Sequence, residues 1–397
     1  MRRILCTILA ATMTAAGTAF AQTSAGTDLA AVLAEIETNN LELKALAAEV
    51  EAFGAENLAG SVLADPEVEF AYLFGPEEIG RRRDFSVSQA FDFAALAGTR
   101  RKAALQENEL LSLQLRTTRR DILTGARKLV CEITARNALI EEYSRRAVHA
   151  GIIEQACRKG LESGEFSLPD YRKAAMDLAE AEGRLELLET ERRTLLAELA
   201  ALNGGRELPV GGTVQPLQRL PESFEDWLAE AGEQSSALAY VRAETRLQES
   251  RLKLSRSESL PGLSVGYMSE LLPGEDFRGI QFGLSIPLWS SARKISGARS
   301  RADAARISED LAVTQFRIRA QALYDNARRL RAAADRYDAL VRMDDGRREL
   351  ETSLSAGRIS LPDYIVELGY YYKMLELAID TERQYGLAVA ELLALEM

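Results

Sequence analysis

The sequence has very little of the side chains on which most enzymes and metal sites depend. It contains one histidine and three cysteines in 397 residues, and aromatic residues make up only 7%. Catalysis by histidine and sites with several histidine ligands are therefore disfavoured. No nucleophile–base set, phosphate-binding glycine loop or metal-ligand spacing occurs either, so we expect a protein that is not an enzyme and carries no cofactor or metal. The net charge of −11 argues against nucleic acid as a partner, because nucleic-acid binding needs basic surfaces.

Proline is missing from two long windows, between residues 76 and 169 and between residues 287 and 362. Both windows are rich in leucine, alanine, arginine and glutamate, and apolar residues recur every three or four positions, as they do in amphipathic helices. Each window therefore predicts mostly one very long helix of roughly 60 residues and about 90 Å. Residues 171–203 and 364–397 are also predicted to be helical.

The N-terminus has the pattern of a secretory signal. Two arginines follow the first methionine, then an apolar stretch from Ile4 to Ala16, then the small-x-small sequence Ala19-Phe20-Ala21. We expect residues 1–21 to be removed on export. A retained anchor helix is the alternative, and it is weaker because the apolar stretch is too short to span a bilayer.

An internal repeat divides the remaining chain. Residues 164–171, GEFSLPDY, return as residues 357–364, GRISLPDY, and two shorter blocks upstream recur in the same order. Such self-similarity indicates two copies of one structural unit. We expect a first repeat over residues 22–204, a linker over residues 205–221 and a second repeat over residues 222–397.

Each repeat contains two stretches in which large apolar residues alternate with small or polar ones. The predicted strands cover residues ~67–74, ~84–93, ~262–269 and ~279–288, with polar loops at residues 75–83 and 270–278. Strands of this length can cross a bilayer, with one face in lipid and the other toward a lumen. Two ordinary hairpins on a soluble α+β protein are the alternative. Four strands cannot close a barrel, so strands in a membrane would have to be shared among chains, and three chains would supply twelve.

Charged residues occur at defined places in the first hairpin. Glu67 and Glu69 lie on the small or polar face of the first strand and are candidates for an acidic ring facing a lumen, with ordinary solvated strand polarity as the alternative. Arg81, Arg82 and Arg83 fall in the predicted loop, where they are candidates for contact with anionic lipid headgroups.

The repeated turn carries the chemistry of a helix end followed by a helix start. Gly164 and Gly357 suit the end of one helix, and a serine followed by Leu-Pro-Asp suits the start of the next. Capping does not explain the apolar residues of the turn, which we expect to be exposed at the tips of helical hairpins. They are Phe166, Leu168, Ile359 and Leu361.

These features together resemble the TolC-type outer-membrane efflux proteins, and the heavy-metal, RND-associated branch most of all. The resemblance covers essentially the whole mature chain. Residues 39–43, NNLEL, are similar to the family's Asn-Asn-Pro-Glu-Leu opening, although Leu41 replaces the proline. Residues 88–91, SQAF, followed by 98–100, GTR, are similar to the exit from the second strand into the long helix.

The resemblance implies a mainly α fold with a membrane β-barrel portion. Long antiparallel helices would form a trimeric tunnel across the periplasm, and four strands per chain would contribute to a 12-stranded barrel in outer-membrane lipid. The homotrimer would be the passive exit duct of an inner-membrane efflux pump of the RND type, joined to it by a periplasmic membrane-fusion adaptor. The adaptor-binding tips would comprise Gly164, Phe166, Ser167, Leu168, Gly357, Arg358, Ile359, Ser360 and Leu361. A soluble periplasmic coiled-coil scaffold or adaptor, and an outer-membrane duct for type I protein secretion, are the alternatives.

Overall fold

The computed structural model describes residues 28–76, 80–216, 219–287, 289, 291–343, 346–356 and 358–397. The predicted signal at residues 1–21, the tip residue Gly357 and Leu288 at the predicted end of the fourth strand lie outside the described residues. The helices are α1 Leu29–Asn39, α2 Leu41–Ala59, α3 Phe93–Leu96, α4 Thr99–Ser163, α5 Leu168–Leu202, α6 Phe224–Gln234, α7 Ser236–Ser257, α8 Ser291–Met343, α9 Gly346–Ser355 and α10 Leu361–Leu393. The strands are β1 Glu67–Phe74, β2 Arg81–Phe91, β3 Gly262–Leu272 and β4 Glu275–Ser285. The predicted fold class, long helices with a small strand portion, is confirmed.

The first proline-free window folds as one very long helix. Helix α4 has 65 residues, which at 1.5 Å per residue is about 100 Å. In the second window α8 contributes 53 residues and α9 another 10. Among the described residues, no helix combines the length and the apolar character needed to cross a membrane.

The largest core cluster packs α4 against the N-terminal helix and the linker. Val130 and Ile133 of α4 are fully buried beside Ile36 of α1 and Leu199 of α5, and Val210 of the predicted linker is also buried in this cluster. Burying a side chain of this size stabilises the fold by about 1.5–3 kcal/mol. The linker between the repeats is thus part of the core.

The Asn-Asn sequence joins α1 to α2 and holds both against the end of α5. Asn40 caps α2, since its Oδ1 accepts from the Leu43 N–H at 2.9 Å, while its Nδ2 donates to the Leu202 carbonyl at 2.8 Å. Asn39 donates to the side chain of Asn203 at 3.1 Å. Leu41, the first residue of α2, is 66% exposed.

The four strands form one antiparallel sheet in the order β1-β2-β3-β4. The central pair, β2 and β3, joins the first hairpin to the second. Both hairpin turns lie at one end of the sheet, and the connections to the helices lie at the other. All helices therefore extend from the end opposite the turns.

The strands extend further into the predicted loops than the sequence indicates. The prediction of a loop through Arg83 is wrong, because β2 begins at Arg81, opposite Phe74. The second loop is also shorter than predicted, since β3 and β4 leave only Pro273 and Gly274 between them. Gly274 has a φ of +91°, a value that favours glycine in such a tight turn. Backbone pairing between the strands continues past the residues in which apolar and polar side chains alternate. The alternation therefore marks only part of each strand.

Candidate functional site

One face of the sheet is apolar across all four strands. The register places Val68 opposite Val87 and Phe70 opposite Phe85, and it continues this face through β3 and β4. Its other apolar members are Tyr72, Phe74, Phe91, Leu263, Val265, Tyr267, Ile280, Phe282 and Leu284. The face is uncovered in the single chain: Phe70 is 66% exposed and Phe282 77% exposed. A continuous apolar patch of this extent indicates contact with another protein or with lipid.

The opposite face of the sheet is mostly polar or small, and its large apolar members include Leu73, Met268 and Phe277. Glu67 lies opposite Ser88, Glu69 lies opposite Ser86, and both glutamates are exposed. Gly266, Gly279, Gln281 and Gly283 continue this face on β3 and β4. The predicted acidic candidates therefore share a face with serine, glycine and glutamine, as expected for a surface that meets water.

The two edge strands leave one side of each ladder open. Within the described residues, β1 pairs only with β2 and β4 pairs only with β3. Unpaired backbone groups at such an edge are tolerated in water but are costly in lipid. A sheet with an apolar face and two open edges is therefore incomplete as a membrane structure in a single chain.

The first hairpin tip folds as helix end, tight turn and helix start. Gly164 adopts a left-handed conformation with φ +79° and ends α4. Ser167 caps α5: its Oγ donates to Asp170 Oδ2 at 2.5 Å, and its N–H donates to the same carboxylate oxygen at 3.1 Å. These hydrogen bonds hold the pKa of Asp170 below its ordinary value. Leu168, in the first turn of α5, is 47% exposed.

Phe166 is half-buried, which corrects the expectation of an exposed apolar residue. Its ring lies on Gly160 of α4, so that a Cβ added to this glycine would be 2.1 Å from the ring. The Phe166 N–H also donates to the Gly160 carbonyl at 3.1 Å. Gly160 thus gives the space in which the tip residue packs on its own hairpin.

The second tip repeats the cap with different packing. Ser360 Oγ donates to Asp363 Oδ2 at 2.6 Å, and Ser360 and Arg358 are exposed. Ile359, also expected to be exposed, is half-buried against a cluster that contains Tyr364 and Leu368. Leu361 is the first residue of α10, and its side chain lies outside what the structure describes.

A charged joint links the two repeats about 27 Å along α4 from the first tip, at 1.5 Å per residue. Arg146 is 9% exposed and lies between the rings of Tyr143 and Tyr372, at 4.4 and 3.9 Å from their centroids. The Nη1 atom of Arg146 is 2.6 Å from Glu376 Oε1 of α10, and its Nε is 3.4 Å from Glu142 Oε1. The Tyr143 hydroxyl donates to the same Glu376 oxygen at 2.8 Å.

Sequence reasoning missed this joint. Arg146 lies on α4 and Glu376 on α10, in different repeats, and local periodicity carries no information about which charges meet over such a separation. The only available signal was an arginine at a position that helical spacing places among apolar residues. His149, the single histidine of the chain, is half-buried, and its Nε2 is 3.1 Å from the Tyr364 hydroxyl.

No family model and no curated protein matches the chain, but solved structures do. The chain is similar to a membrane protein from Pseudomonas aeruginosa, with a TM-score of 0.78, 14% identity and 94% of each chain covered. It is similar to the outer membrane protein VceC from Vibrio cholerae, with a TM-score of 0.75, 13% identity, and 93% of this chain and 96% of VceC covered. The Campylobacter jejuni CmeC outer membrane channel gives a TM-score of 0.73 at 12% identity, covering 93% of this chain and 85% of CmeC.

The chain has the TolC-type channel fold. The predicted resemblance is thereby confirmed at the level of the fold, over more than nine-tenths of the chain. None of these structures singles out the heavy-metal branch. The features of this fold with an unassigned role are the apolar face, the open edges and the two tips.

Proposed function

We propose that this chain is one protomer of a homotrimeric outer-membrane channel, the passive exit duct of a tripartite efflux system. The observation that carries the proposal is the division of the sheet into an exposed apolar face and a polar face that carries Glu67 and Glu69. A barrel wall needs this division, because its outer surface meets lipid and its inner surface meets water.

The strand count and direction allow closure. Each chain supplies four antiparallel strands, so β4 of one copy would run antiparallel to β1 of the next. Three copies give twelve strands, within the range known for membrane barrels, and closure would satisfy every open edge. The symmetry required is an ordinary cyclic one.

The position of the helices gives the orientation. Because all helices leave the sheet at the end opposite the turns, a barrel in the outer membrane would place the turns outside and α4 in the periplasm. A length of about 100 Å for α4 suits a tunnel reaching far from the membrane. An inner-membrane pump of the RND type would deliver substrate to its far end through a periplasmic membrane-fusion adaptor.

We place adaptor docking at the two hairpin tips. The exposed tip residues in the described part of the chain are Gly164, Ser167, Leu168, Arg358 and Ser360. Phe166 and Ile359 support these positions from below, since Phe166 packs on Gly160 of its own hairpin and Ile359 packs against a cluster that joins both hairpins. Gly357 and Leu361 remain predictions from the sequence.

Disulfide trapping at the open edges tests the trimer. Ala71→Cys on β1 is combined in turn with Gly279→Cys, Gln281→Cys or Gly283→Cys on β4, all on the polar face. Within one chain these strands lie three spacings apart, about 14 Å, which is beyond disulfide reach. One of the three pairs should therefore give covalent trimers in the outer-membrane fraction.

The native thiols give this test a low background. Cys131 and Cys157 are buried, and burial raises the pKa of Cys131 to about 11, so its thiol stays protonated at neutral pH. Phe70→Cys with Gln281→Cys is the matched control, because these residues lie on opposite faces. Purified trimers should also conduct ions across planar lipid. A water-soluble monomer without conductance would refute the channel and support the periplasmic scaffold instead.

Substitution of the exposed tip residues tests adaptor docking. Leu168→Glu combined with Arg358→Glu should reduce efflux by about tenfold or more, because a complementary contact would lose apolar area and reverse a charge. Trimer yield and conductance should not change. The matched control is Met176→Glu, an exposed apolar residue of α5 two turns beyond the tip. Undiminished efflux in the double variant would exclude the tips as the docking site.

A further inference from the structure

Three consecutive arginines at the turn end of β2 point alternately to the two faces of the sheet. Arg82 lies on the polar face, where its Nε is 2.9 Å from Asp84 Oδ1 and 3.0 Å from Glu270 Oε1. Arg81 and Arg83 lie on the apolar face, opposite Phe74 and Tyr72. Arg82 is thus neutralised by two carboxylates, while Arg81 and Arg83 place their charges at the border of the apolar surface.

The surroundings of Arg81 and Arg83 are aromatic. Arg81 Nη1 donates to the Tyr72 hydroxyl at 3.1 Å, and its guanidinium lies 6.0 Å from the centre of the Phe74 ring. Tyr72 and Phe74 contact each other edge to face at 5.0 Å. Arg83 is exposed, and within the described part of the chain no carboxylate lies within ion-pair distance of Arg81 or Arg83. One row further from the turn, β1 and β2 carry Phe70 and Phe85, and the row after that is apolar on all four strands, with Val68, Val87, Tyr267 and Ile280.

This combination is typical of the border between hydrocarbon and headgroups. Tyrosine and other aromatic residues concentrate at that depth, and arginine extends its charge from apolar surface to the polar layer. A guanidinium binds a phosphate through two parallel hydrogen bonds. Arg81 and Arg83 are separated by one residue on the same strand, so their charges lie about 7 Å apart along the strand axis and can engage two phosphate groups of one lipid.

We propose that Arg81 and Arg83 form a binding site for a phosphate-bearing anionic lipid in the leaflet on the turn side of the barrel. The inference rests on the proposed membrane function, because it assigns the apolar face to lipid. The occupant is a lipid rather than a free anion, since the arginines border an apolar surface that a lipid chain would cover at the same time.

The test measures lipid binding by the purified full-length mature protein in neutral detergent. Native mass spectrometry with diphosphoryl lipid A as the probe compares the wild type with the double variant Arg81→Gln, Arg83→Gln. The affinity should fall by on the order of tenfold in the double variant, because each basic residue near anionic headgroups strengthens binding several-fold. Monophosphoryl lipid A should bind the wild type more weakly than the diphosphoryl form.

Arg278→Gln is the matched control on the same face. Arg278 of β4 lies opposite Ser269 of β3 and is paired with Asp276 at 2.5 Å. Its removal therefore takes away a charge that is already neutralised. Affinity in this variant should stay within about twofold of the wild type. Equal affinity of the double variant and the wild type would overturn the site, and so would full competition by inorganic phosphate, which would show a site for free anions.

Insertion into phosphatidylcholine liposomes separates this inference from the proposed function. Wild type and double variant should insert equally, since the apolar face is unchanged. Insertion together with unchanged affinity for lipid A would refute only the lipid site. If the wild type failed to insert, the membrane function itself would fall, and the lipid site with it.

Discussion

The tips of the two helical hairpins contain the same sequence, SLPDY. The cap formed by this sequence is the same in both tips, but the burial of its tyrosine differs. In both hairpins the serine caps the next helix and its Oγ donates to the aspartate three residues on, at 2.5 Å in the first and 2.6 Å in the second. The tyrosine that follows differs between them. Tyr364 is 1% exposed and contacts His149 of α4, whereas Tyr171 is half-buried.

The difference shows which interactions an internal repeat preserves. A cap involves atoms within one turn, so the same four residues rebuild it in each copy. Packing involves the neighbouring helix, and the neighbours differ: Phe166 packs on Gly160 of its own hairpin, while Ile359 and Tyr364 join a cluster with Ile153 and Cys157 of the first repeat. The second tip therefore packs against helix α4 of the first hairpin.

The largest effect is expected from removing the joint between the repeats. Arg146→Met should lower the free energy of unfolding by about 3–5 kcal/mol, because it leaves Glu142 and Glu376 without their buried cation. Urea titrations of the helical circular dichroism in detergent measure this. Arg145→Met, the exposed neighbour whose distances to Glu141 and Glu142 are 3.4 and 3.6 Å, should change it by less than about 1 kcal/mol. Equal effects of the two substitutions would contradict the role given to the joint.

The two tyrosines give the next test. Tyr364→Ala should cost about 3 kcal/mol of unfolding free energy, since it empties a fully buried position between α10 and α4. Tyr171→Ala should cost about 1 kcal/mol because its side chain is only half-buried. The same urea titration compares them. A larger loss at Tyr171 would reverse the asymmetry described above.

Two helical glycines separate packing from helix propensity. Gly160→Ala should destabilise the first hairpin by about 1–2 kcal/mol, because the new Cβ would meet the Phe166 ring and displace it. Gly183→Ala in α5 should stabilise by about 0.5–1 kcal/mol, since nothing lies within 4 Å of its added Cβ. Thermal unfolding followed by circular dichroism measures both. Stabilisation by both substitutions would show that Phe166 does not depend on Gly160.

The smallest effect is the fraying of one helix start in acid. The pKa of Asp170 is lowered in the folded protein by hydrogen bonds from Ser167, so the carboxylate supports the cap above its ordinary pKa. That support is lost as the pH falls through the lowered value. The protection of the amides in the first turn of α5 against hydrogen exchange, measured relative to the intrinsic exchange rate at each pH, should decrease over this acidic range. Asp170→Asn should remove the pH dependence, and an unchanged pH profile in the variant would exclude this carboxylate as its source.

Much of the candidate site could be predicted from local patterns. The turn sequence predicted both caps, and alternation placed Glu67 and Glu69 on the polar face, because both follow from atoms a few residues apart. The same patterns could not tell that Phe166 and Ile359 pack inward, since that depends on the space beside Gly160 and on a cluster formed by another repeat. The alternation of apolar residues also gave too late a start for β2, after Arg83, because strand pairing depends on backbone hydrogen bonds and not on hydrophobicity.

The sequence by itself determined the two proline-free windows that form long helices, the repetition of the turn sequence and the alternation in the strands. Each of these is a local pattern that the geometry of neighbouring residues imposes. Only the tertiary structure decided that β2 pairs with β3 across the repeats and that Arg146 meets Glu376. It also decided which of the three arginines turns to a carboxylate pair and which two border the apolar face. These outcomes depend on contacts between residues far apart in the chain, whose distances are fixed by packing and not by any local pattern.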